Sequence, residues 1–139
     1  MGDSFDAKKF GSIVAFGPFT AANVSDDSAN SNLAYGQSSY AVMPADGSVV
    51  ALSVYANAEI THGSGSIRAH SSDTEMGGYG YPNPTLNATT SQASYSSAVP
   101  GAITFSAGDK LGVSIVTDTT WSPETLEVDG WLFVQFDPS

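Results

Sequence analysis

Two stretches near the end of the chain decide its fold: Phe105-Ser-Ala-Gly-Asp-Lys-Leu-Gly-Val-Ser-Ile-Val-Thr117 and Val128-Asp-Gly-Trp-Leu-Phe-Val-Gln-Phe136. In the first, Ala107-Gly108-Asp109 reads as a turn feeding a strand with Leu111, Val113 and Ile115 on one face. In the second, almost every position is apolar. Alternate side chains of a strand point to opposite sides, so Leu132, Val134 and Phe136 share one face while Trp131 and Phe133 share the other. Large apolar groups on both faces require that both be covered. One face goes to the core of the domain, and the other is expected to meet another chain.

Moving outward from these stretches, turn residues recur throughout: Gly17-Pro18, Asp26-Asp27, Asp46-Gly47, Gly63-Ser-Gly65, Gly77-Gly78, Pro82-Asn-Pro84, Pro100-Gly101, Gly108-Asp109 and Ser122-Pro123. No window repeats apolar residues with helical spacing. Strands are predicted at 12–16, 33–42, 49–57, 66–70, 92–97, 102–105, 110–117 and 128–136. In the third, Val50, Leu52 and Val54 are expected on one face and Val49, Ala51, Ser53 and Tyr55 on the other. Such spacing predicts an all-β antiparallel jelly-roll sandwich. Residues 12–139 form the single domain of this reading, behind an N-terminal arm, 1–11. Two polar or Gly/Pro-rich stretches, 20–32 and 71–90, read as long loops.

Composition narrows the function. The chain has 139 residues, enough for one core, and no Cys, which excludes disulfides, thiolate metal sites and Cys nucleophiles. Only 13% of residues are charged, yet 14 acids face 4 bases, for a net charge of −10. Phosphate backbones are bound by Lys and Arg, so nucleic acid is excluded as a partner and anionic membranes are disfavoured. The 21 Ser and 11 Thr must supply the solvated surface. No apolar run approaches the roughly 20 residues of a membrane span. The first residues show neither a secretory signal nor a myristoylation pattern, since Asp6 stands where Ser or Thr is required.

The sequences Met43-Pro-Ala-Asp-Gly-Ser-Val-Val-Ala-Leu-Ser-Val54 and Phe105-Ser-Ala-Gly-Asp-Lys-Leu-Gly-Val-Ser-Ile115 resemble those of trimeric jelly-roll domains of the tumour-necrosis-factor/C1q-like kind. Such domains occur in bacterial spore-surface and bacteriophage structural proteins. They carry a Pro-x-Asp-Gly turn before one strand, a Phe-x-x-Gly-Asp turn before another, and an apolar strand near the C-terminus. The likeness covers about residues 33–136. No collagen-like stalk is present, and 71–90 has no counterpart, so the chain is more similar to capsid decoration proteins of phage heads. That resemblance implies a non-enzymatic homotrimer on the outer capsid surface of a virion, bound to the major capsid protein and needing no cofactor. Its trimer interface would use Trp131, Phe133, Gln135 and Tyr55. The arm residues Phe5, Lys8, Lys9 and Phe10 would dock on the capsid, Lys8-Lys9 being half of the chain's basic charge.

Other residues are candidates for chemistry. His62 and His70, with Glu59 and Asp73 near in sequence, lack metal-site spacing and read as exposed histidines. Asp26, Asp27, Asn23 and Asn30 could gather oxygens for calcium, but form no EF-hand pattern and read as a solvated loop. No nucleophile elbow, His-Glu-x-x-His or phosphate loop occurs. Ser64 beside His62, and Glu124 with Glu127 near Trp121, read as ordinary loop residues. Asn23-Val-Ser25 and Asn87-Ala-Thr89 match the glycosylation pattern, without a signal that would expose them to it. Tyr79, Tyr81 and Trp121 are expected as surface contacts for a partner. They carry the alternative reading, a receptor- or glycan-binding tip of a fibre or spore-surface protein.

Overall fold

The computed structural model describes residues 12–26, 31–33, 40–71, 74–76, 81–90, 92–99 and 101–138. The described residues contain strands and no helix: β1 (Ile13–Ala21), β2 (Ser31–Leu33), β3 (Ala41–Val42), β4 (Gly47–Ala56), β5 (Ser64–Ser71), β6 (Thr74–Met76), β7 (Thr85–Asn87), β8 (Ala93–Ser97), β9 (Thr104–Phe105), β10 (Lys110–Thr117) and β11 (Val128–Phe136). One antiparallel sheet runs β1-β11-β4-β8, with β9 also beside β4. The other runs β2-β10-β5-β6, with β3 beside β10 and β7 beside β5. The chain changes sheet between β1 and β2, β3 and β4, β4 and β5, β7 and β8, β9 and β10, and β10 and β11. This is the jelly-roll sandwich expected from the strand pattern.

The core lies between the inner faces. The first sheet contributes Val49, Leu52, Val54, Leu132 and Val134, and the second Ile67, Ala69, Leu111, Val113 and Ile115, all buried. Fully burying one such side chain contributes about 1.5–3 kcal/mol. Strict alternation nevertheless fails in β4. The register with β11 shifts between Phe133 and Val134, so Val49 faces the core and Val50 takes the extra position. A bulge inserts one unpaired residue and reverses the faces beyond it, which overturns the expected grouping of Val50 with Leu52 and Val54.

Three more boundaries differ from expectation. The predicted strand 33–42 is not continuous, because Leu33 pairs with Val113 and Ala41 with Leu111. Gly17-Pro18 is not a turn but a register shift within β1, where its peptide bond is cis. Proline is tolerated there because β1 is an edge strand and a bulge needs no ladder donor. The stretch 71–90 contains β6 and β7, both paired with β5, and Pro84 still offers its carbonyl to Ile67 N at 3.0 Å.

The two turns that carry the family resemblance are clasped together. Asp46 Oδ1 accepts from Ala107 N at 2.8 Å, Met43 N donates to the Asp109 carbonyl at 2.8 Å, and Gly108 N donates to the Met43 carbonyl at 2.7 Å. Asp109 Oδ2 accepts from Ser106 N at 2.9 Å and closes its own turn. Gly47 follows because a Cβ there would lie 2.8 Å from the Phe105 ring and 3.0 Å from the Phe136 backbone. Those two rings meet edge to face, with centroids 6.0 Å apart.

Candidate functional site

The outward side chains of the five-stranded sheet gather several large apolar groups on one surface. From β11 come Trp131, Phe133 and Gln135, and from β4 Ala51, Ser53 and Tyr55. The register sets Trp131 opposite Ser53, and Ser53 opposite Tyr95 of β8. It likewise sets Phe133 between Ala51 and Ala15, and Gln135 opposite Ile13. Ile13 is 62% exposed, Tyr55 50% and Tyr95 78%, while Trp131 and Phe133 are half-buried. The sequence therefore placed Trp131, Phe133, Gln135 and Tyr55 on one face, and the structure brings them together there. It missed Ile13 and Tyr95. Tyr95 sits in a strand that alternates cleanly, and Ile13 in the part of β1 before its register shift, so carrying the period-two reading into 13–16 and 93–97 would have found them.

Two hollows divide this face. One, of about 280 Å³, lies around Phe133 and Ile13 and shares Ser53 and Tyr95 with the second. The other, of about 410 Å³, lies among Tyr55, Tyr95, Trp131, Ala93 and the hydroxyl residues Ser53 and Ser94. Trp131 is backed by the β1 bulge: a Cβ on Gly17 would come within 2.9 Å of its Cε3. Gly17, at φ +150°, thus leaves room for the indole against the sheet edge. Near the margin, Asp129 accepts a hydrogen bond from Thr20 Oγ1 at 2.7 Å.

The expected loop aromatics behave differently. Trp121 is 1% exposed, and its Nε1 donates to the Val24 carbonyl at 3.0 Å. It belongs to the core and presents no ring to a partner, because Gly65 gives it space beneath β5. Tyr81 is half-buried and packs against the core. Tyr79 and the arm residues Phe5, Lys8, Lys9 and Phe10 lie outside the described residues, as do Asp27, Asn30 and Asp73.

The remaining polar candidates serve the scaffold. His62 is exposed and its Nδ1 meets Thr61 Oγ1 at 3.3 Å, whereas His70 is buried, contrary to expectation, with Nε2 on Ser114 Oγ. Ser64 Oγ donates to Asp118 rather than to His62. Burial raises the Asp118 carboxyl, but bonds from Thr120 and Ser64 outweigh that and hold it below its ordinary value. Glu124 Oε1 accepts from Asp26 N at 3.2 Å, and the Glu127 amide donates to Asn57 Oδ1 at 3.0 Å. Asn87 Oδ1 accepts from the amides of Thr89 and Thr90, closing a turn. Among the described residues no group of three or more His, Asp or Glu could hold a metal ion.

Comparisons of the chain with protein-family models, curated proteins and solved structures return no match.

Proposed function

We propose that this protein is a non-enzymatic assembly subunit, a homotrimeric decoration protein that binds the outer surface of a phage head and stabilises it. The observation that carries the reading is the open apolar face of the β1-β11-β4-β8 sheet. Monomers rarely leave such surfaces exposed, and self-association covers them. The hollow around Phe133 and Ile13 would form the centre of the seam, with Trp131, Tyr55 and Gln135 around it. A protein whose work is adhesion needs surface complementarity, and three linked copies multiply each weak capsid contact. The net charge of −10 per chain discourages nonspecific association.

The arm 1–11 supplies the capsid contact in this proposal, because Lys8-Lys9 concentrates basic charge in an acidic chain. Deleting residues 1–11 and measuring binding to capsids that lack the decoration protein tests it. Unchanged melting with lost binding supports the docking arm. Full binding after deletion would move the contact to the sandwich, and no binding by the intact chain would remove the capsid from the account.

A further inference from the structure

We draw no further inference here: the strongest candidate, the hollow among Tyr55, Tyr95 and Trp131 on the outer side of the β1-β11-β4-β8 sheet, belongs to the face already proposed as the subunit seam, and nothing in the structure shows what else covers it.

Discussion

The two outer faces of the sandwich are built from the same β geometry and end in opposite states. On the six-stranded sheet, β10 and β5 turn Gly112, Ser114, Ser66, Arg68 and His70 outward. There Ser114 and His70 are buried within the chain and bonded to each other, and Ser66 Oγ meets Thr85 Oγ1 at 3.0 Å. Arg68 Nε donates to Asn83 Oδ1 at 3.3 Å. On the five-stranded sheet, the same outward positions carry Ile13, Tyr55 and Tyr95, which are exposed, and Trp131 and Phe133, which are half-buried. The six-stranded face carries Val116 and, exposed at its edge, Val42, but no exposed ring among the described residues. A face of large rings gains by being covered, at roughly 25 cal/mol for each Å² of apolar surface removed from water.

The sharpest way to break the contrast is to place the same charge on either side of one strand. Leu132→Asp buries a carboxylate among core side chains and should abolish folding, since such an unpaired charge costs at least several kcal/mol. Phe133→Asp, one residue on, should leave a folded chain by circular dichroism and dissociate the assembly. If both variants unfold, the outer face is part of the core. Next in size, Gly63→Ala should lower stability by about 2 kcal/mol or more in chemical denaturation. Its φ of +73° is left-handed, and a Cβ would strike the Asp118 carboxylate and the Thr120–Trp121 backbone. That loss should reach the core through Trp121 and leave the chain count of the residual folded protein unchanged.

On the closed face, Val116→Ser should cost little stability and leave the native mass unaltered; a change in mass would show that both faces associate. The smallest effect belongs to Asp118→Asn. Because the folded protein holds this carboxyl below 3.8, the ionised form favours folding. Its contribution is fully present above that value and disappears as pH falls through the lower folded-state pKa. The melting difference between wild type and variant should therefore be visible at pH 7 and vanish in strong acid. A difference that persists there would mean that the Asp118 bonds do not depend on its charge.

Much of the scaffold was legible because long strands obey period two. β10 and β11 matched their predicted limits, and the apolar outer side of β11 pointed directly to the open face. What the sequence hid were interruptions of that period. Nothing in Val49-Val50-Ala51 marks which valine occupies the bulge; the partner strand decides it. Gly17-Pro18 carries the composition of a turn yet lies within β1, because edge strands accept what central strands reject. Trp121 looked like a loop aromatic, but Gly63 and Gly65 leave a recess that admits it to the core. His70 resembled an exposed histidine until Ser114, 44 residues later, was placed beside it. Local pattern finds faces, whereas bulges and burial across sheets are set by residues far away in sequence.

The account turns on whether the open face joins copies of the chain. Sedimentation equilibrium of the intact protein at micromolar concentration measures this directly. Three chains per particle, falling to one in Phe133→Asp, is the predicted result. A folded wild-type protein that sediments as a single chain across that range would contradict it.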